Sequence, residues 1–196
     1  TMNETKQQVE KAMVPAIAVT DRGIQLHTFD EAQRFAKCVL ASQFAPKGYD
    51  NVADVVIAVM HGAELGLAPI TALQSIYVVH NRPTIFGDAM PALCYGSGLM
   101  EWMKEFYTGT PGQDDYTAHC VVKRKGEPEP HEATFSVADA KKAGLWGKKG
   151  KNGEPTPWIT YPARMLRMRA RGFALRDAFP DALKGTIAYE EAQDYP

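Results

Sequence analysis

The 196-residue chain is short of cysteine, has no long apolar run and contains no phosphate-loop or metal-ligand motif, and each shortage closes off a class of protein. Its three cysteines, Cys38, Cys94 and Cys120, lie far apart with no C-x-x-C pair, so neither a disulfide framework nor a zinc module is expected. Cys38 and Cys94 have apolar neighbours, which marks them as reduced thiols filling a core. No stretch approaches the ~18 to 20 consecutive apolar residues that span a bilayer, and Thr1-Met2-Asn3-Glu4 lacks a charged-then-apolar signal pattern. A cytoplasmic chain with no membrane contact is expected. Thr1 ahead of Met2 has the look of a tag-removal scar, and the stop at Asp194-Tyr195-Pro196 that of trimming, so native tails are expected beyond both ends.

Catalytic patterns are equally sparse. G-x-x-x-x-G-K-[ST] is absent, because Gly150-Lys151 is followed by Asn152 and position 145 is Leu, so a nucleotide cofactor is not expected. His61-x-x-Glu64 is half of a ligand set on an apolar helix, where a histidine is ordinarily structural. Asp114-Asp115 sits beside Pro111 and Gly112, in turn-like sequence where acids are common. No catalytic residue, no metal and no cofactor are expected, and the chain reads as a non-enzyme.

What the chain does have is segregated charge. Between Lys141 and Arg176 stand ten Lys and Arg against one acid, Glu154, for a net of +9. The rest holds 12 of the 22 bases and 22 of the 23 acids, a net of −10. Such asymmetry points to a polyanion-binding region on an acidic body. The bland alternative is a solvated helix face beside a lysine-rich loop.

Local signals place this region in an α+β chain. Thr28 and Glu31 form a capping box ahead of Phe35, Cys38 and Val39, predicting a helix over 29–42. Asn51 can cap a second helix with an apolar stripe of Val52, Val55, Val56, Val59, Met60 and Ala63, which Gly66 ends. Pro69 opens a short turn, and Ile76 to His80 with Thr84 to Gly87 flank Asn81-Arg82-Pro83 as a hairpin. A short helix through Met90, Leu93 and Cys94 comes next, then strands near 100–108, 115–124 and 131–136 as an antiparallel meander. Ser136 caps a helix to about Lys142, closed by Gly144. Gly147 to Gly153 read as a loop that is mobile until something binds it. A last helix runs from Pro162 to about Asp177. The fold class is thus α+β, with helices packed on an antiparallel hairpin and meander and a basic amphipathic helix at the end.

On a helical wheel Leu166, Ala170, Phe173 and Ala174 share the sector expected to pack. Arg164, Arg167 and Arg171 lie together beside it, and Arg169 and Arg176 pair on another side. Guanidiniums spaced three, four and seven residues apart suit successive phosphates. The alternative is that they form ion pairs with the acidic body. Lys141, Lys142, Lys148, Lys149 and Lys151 add point charges, while Trp158, Tyr161 and Trp146 offer flat faces for unpaired bases, the combination that binds single strands without sequence preference. Arg82 at the hairpin tip, with Lys123, Arg124 and Lys125, extends the basic track.

Several of these stretches resemble RecT-like phage single-strand annealing proteins: Val55 to Leu67 leading through Pro69 into Tyr77 to Phe86, Ala133 to Ser136 with Ala138 to Leu145, Pro157-Trp158, and Tyr161 to Ala170. The resemblance covers about residues 30–190. It implies an ATP-independent protein of a bacterial host's cytoplasm that binds single-stranded DNA along a basic groove and assembles into rings or helical filaments. It further implies partnership with a 5′ to 3′ exonuclease and with the host single-strand-binding protein. The organisation expected is a loosely ordered leader over 1–27, a single annealing core over 28–190 and a tail over 191–196. Two other classes compete: a non-enzymatic phage interaction or regulatory protein docking an acidic partner through the same basic edge, and a metal-dependent nuclease, whose acid cluster this order does not supply.

Overall fold

The computed structural model describes residues 18–20 and 23–195. Most of the leader expected over 1–27 lies outside them, as does Pro196 of the expected tail. The chain divides into two compact units between Gln74 and Ser75.

In the first unit a short antiparallel ribbon, β1 (Ala18–Thr20) and β2 (Gly23–Gln25), precedes α1 (Phe29–Ala41), α2 (Val52–Glu64) and α3 (Pro69–Ser75). The capping box forms as its spacing predicts. Glu31 N–H donates to Thr28 Oγ1 at 3.2 Å, and Thr28 N–H donates back to Glu31 Oε2 at 3.2 Å. His27 N–H also donates to Glu31 Oε2, at 2.7 Å, and this bond leads the causes that hold the Glu31 carboxyl below its ordinary range. Asn51 caps α2 by accepting from Asp54 N–H at 2.9 Å. Phe35, Val39, Tyr49, Val55, Val56, Val59 and Leu73 form the core. Three residues expected to pack fail to do so. Cys38, Met60 and Ala63 lie on exposed faces, because the helices bury only the neighbouring stripe through Phe35, Val39, Val55 and Val59.

The second unit opens with the hairpin β3 (Ile76–Val79) and β4 (Arg82–Ile85). Its turn is His80-Asn81, one step earlier than predicted, because both residues take the left-handed φ that a two-residue hairpin needs, 49° and 60°. Pro83 therefore lies within β4, opposite Val78. Next come α4 (Met90–Gly96) and the antiparallel meander β5 (Met100–Thr108), β6 (Thr117–Arg124) and β7 (His131–Ser136). Helix α5 (Val137–Lys142) starts on a Ser136–Asp139 capping box and stops at Gly144, whose φ of 69° continues no helix. Then follow α6 (Pro157–Thr160), α7 (Pro162–Ala178), α8 (Pro180–Leu183), β8 (Ile187–Ala188) and α9 (Tyr189–Ala192). Strand β8 pairs parallel to β4, Thr84 facing Ile187.

Helix α7 lies across β6 and β7. Its buried Leu166, Ala170 and Ala174 meet the inward row of the meander, in which Ala118, Cys120, Val122 and Phe135 are also buried. Phe173 closes edge-to-face on Phe135 at 6.0 Å. Burial pushes the Cys94 and Cys120 thiols up to about 12, so both stay protonated. The mixture is α+β, as the element order predicts. Among the described residues no single helix is long and apolar enough to cross a membrane.

Candidate nucleic-acid interface

The α7 arginines fall on the two edges that the wheel predicts, and each edge is organised around carboxylates from distant elements. On the first edge Arg171 makes a two-pronged contact with Glu105 of β5, Nε to Oε1 at 2.8 Å and Nη2 to Oε2 at 2.7 Å. Its remaining Nη1 donates to Asp88 Oδ1 at 2.8 Å and to the Gly87 carbonyl at 3.2 Å. The Arg171 side chain is only 8% exposed, yet the carboxylates outweigh burial and raise its already high pKa. Arg164, one helical stretch earlier, reaches the other oxygen of Asp88. Burial alone would raise the Asp88 carboxyl, but the two arginines hold it below its ordinary range.

On the second edge Arg169 Nη2 donates to Asp194 Oδ2 at 2.9 Å, and Arg176 Nη2 donates to Glu191 Oε1 at 3.0 Å. Glu191 also lies 3.7 Å from Arg169 Nη1. Asp194 Oδ2 accepts the Trp158 indole N–H at 2.9 Å, and Asp194 Oδ1 faces Lys148 Nζ at 3.4 Å. Trp158 is 2% exposed and lies against Phe135, so its faces are core rather than platform. Arg169 is likewise buried, its guanidinium over the Phe135 ring. Removing one member of such a network leaves a charge without water or partner, a large structural cost.

Other basic residues are also engaged. Lys141 pairs with Asp114. Lys123 Nζ donates to the carbonyls of Glu127 and Pro128, which turns its ammonium into the β6–β7 turn. Arg124 holds Asp181 with two bonds of 2.7 Å and pulls that carboxyl down to about 2.

The remaining charge is gathered at the entrance to α7. Residues 147–155, read from sequence as a mobile loop, form a finger with bonds of its own. Lys149 bridges Pro155, Gly150 N–H donates to the Glu154 carbonyl at 2.9 Å, and Asn152 N–H donates to Glu154 Oε2 at 2.9 Å. A Cβ at Gly150 would run into the Glu154 side chain, so that exposed carboxylate would have to move. Lys149 and Lys151 project from the finger, exposed and without an ion pair among the described residues. The finger runs through α6 into Tyr161, 67% exposed, and on to Arg164 and half-buried Arg167. Tyr107 of β5 fixes this entrance by donating its hydroxyl to the Ala163 carbonyl at 2.9 Å. Lys142 on α5 and Arg82 on the hairpin are exposed as well.

Sequence reasoning located the arginines and missed their partners Asp88, Glu105, Glu191 and Asp194. Only Glu105 left a readable signal: with Met103 and Tyr107 it occupies the alternate, inward row of β5. Among the described residues no group of three or more His, Cys, Asp or Glu is placed to hold a metal ion.

Comparison with curated proteins gives no match. Residues 101–196 match the model of the RecT family, a stretch that begins in β5 and takes in the meander, the finger and the whole of α7. With that match lying over the arginine edges just described, residues 101–196 of the chain are RecT-like, similar to a family of single-strand annealing proteins in DNA recombination.

Proposed function

We propose that this protein binds single-stranded DNA and anneals complementary strands without ATP, in phage-type homologous recombination. The observation that carries the reading is the finger and α7 entrance, where Lys149, Lys151, Tyr161 and Arg164 are open to solvent beside half-buried Arg167, within the stretch matched to the RecT family. Lysines on a folded support hold a backbone as point charges, and Tyr161 supplies a face on which a base can stack. Arg169, Arg171 and Arg176, together with Trp158, serve as the frame that fixes this entrance, and Arg164 exchanges Asp88 for a phosphate. Pairing between the two strands supplies the free energy, so the protein needs no catalytic residue and no nucleotide. The active form is a homo-oligomer, ring or helical filament, working beside a 5′ to 3′ exonuclease and the host single-strand-binding protein.

The test is annealing of two labelled complementary oligonucleotides without nucleotide across a salt series, beside a single-strand binding titration. Acceleration above the spontaneous rate, with binding that weakens steeply as salt rises, is expected. Binding without acceleration would leave a single-strand-binding module. Absence of binding at moderate salt would transfer the basic entrance to an acidic protein partner.

A further inference from the structure

Strand β5 carries two different rows. Met103, Glu105 and Tyr107 point toward α7, as the Glu105–Arg171 and Tyr107–Ala163 bonds establish. The alternate row, Trp102, Lys104 and Phe106, therefore stands on the opposite face of the meander. Trp102 is 39% exposed and Phe106 is 36% exposed. Beside them, by register, stand Lys123 opposite Trp102 and His119 opposite Phe106. His119 stacks on the Phe106 ring at 4.5 Å with 7° between the planes, and the Lys104 ammonium sits 5.5 Å from the same ring's centroid. The Glu132 carboxylate of β7 on this face is held by His119 Nδ1 at 2.8 Å.

We infer that this outer face of the meander is a second nucleic-acid surface, a stacking platform for unpaired bases of a single strand. The inference rests on the proposed single-strand binding and adds a base-reading surface to the backbone-holding entrance. Three features favour this occupant. Two aromatic side chains stand four residues apart on one row, a rise of roughly 13 Å, and stay in water although each has a large apolar area to bury. The free positive charge on the face comes from Lys104, between the rings, while the carboxylate of Glu132 is already engaged by His119. The Phe106 ring is held rigid by His119, so a base that replaces the Lys104 ammonium against it loses little freedom and leaves that ammonium for the phosphate.

The experiment compares the full-length protein with Trp102→Thr/Phe106→Thr, threonine being chosen because its branched side chain suits a strand. Affinity is measured for an oligothymidine strand and for an abasic tetrahydrofuran strand of equal length, across a salt series. Loss of the two rings should weaken oligothymidine binding by about a hundredfold, about tenfold for each ring, leave the abasic strand within about threefold, and not alter the salt slope. Trp102→Tyr/Phe106→Tyr, which keeps both rings, should restore binding to the oligothymidine.

In the unmutated protein, photocrosslinking to an iododeoxyuridine strand should map to Trp102 or Phe106. Equal loss on both strands, no loss on either, or crosslinks only elsewhere would overturn the platform while leaving strand binding intact. A changed sedimentation coefficient with unchanged affinity would give this face to a second copy of the chain. If the unmutated protein bound neither strand, the proposed function itself would fail.

Discussion

Helix α7 and the finger that precedes it are both dense in positive charge, and they hold that charge in opposite ways. The finger leaves Lys149 and Lys151 in water. The helix surrenders Arg171 to Glu105 and Asp88, Arg169 to Asp194, and Arg176 to Glu191. The same +9 segment thus contains both a structural lattice and an available surface. Charge along a sequence counts how many cations exist, and the fold decides how many can meet a ligand.

The comparison breaks first at Arg171. Arg171→Ala would leave half-buried Glu105 without its two-pronged partner, and a loss of about 3 to 5 kcal/mol of stability is expected in urea unfolding. A loss below about 1 kcal/mol would return Arg171 to the list of available cations. The converse substitution, Lys149→Glu/Lys151→Glu, should change stability by no more than about 0.5 kcal/mol. It should nevertheless cut single-strand affinity by tens of fold at low salt and flatten the salt slope by about 1.4, near 0.7 for each phosphate contact. An unchanged slope would remove the finger from the DNA path.

The smallest expected effect concerns Arg124, a base held by an exposed acid. Asp181 is held near 2, below its usual 3.8, chiefly by its hydrogen bonds from Arg124. A carboxyl depressed in the folded state adds stability above its unfolded pKa, and that contribution disappears as pH falls from about 4 toward 2. Asp181→Asn should therefore flatten the acid limb of a stability-against-pH profile slightly, with no change at pH 7 in its slope. A profile identical to that of the unmutated protein would leave the pair without energetic weight.

What could be read in the sequence was local. The caps at Thr28, Asn51 and Ser136 each involve residues three apart, and all three form as predicted. The wheel correctly divided the α7 arginines into two edges. Their neutralising partners were not readable, because Glu105 is 66 residues from Arg171 and Asp88 is 83 residues away. Strand β8, two residues long, has no periodicity to detect, and it exists through its pairing with β4. The hairpin turn was misplaced because Pro83 is a conspicuous turn residue, whereas the left-handed pair His80-Asn81 is not. Trp158 looked like a base platform by type alone, and its buried bond to Asp194 depends on a residue 36 positions later.

Asp88 grips Arg164 and Arg171 at once, and this affects what a salt titration would count. Where a phosphate takes Arg164 from Asp88, one anion of the protein is exchanged for one anion of the strand. The guanidinium sheds no dissolved ion in that exchange, while the second carboxylate oxygen of Asp88 keeps its hold on Arg171. Salt-dependence would then report the finger lysines faithfully and undercount Arg164. The footprint inferred from ionic strength would be smaller than the one traced by protection or crosslinking, and the shortfall would measure how much of the site carries its own counterion.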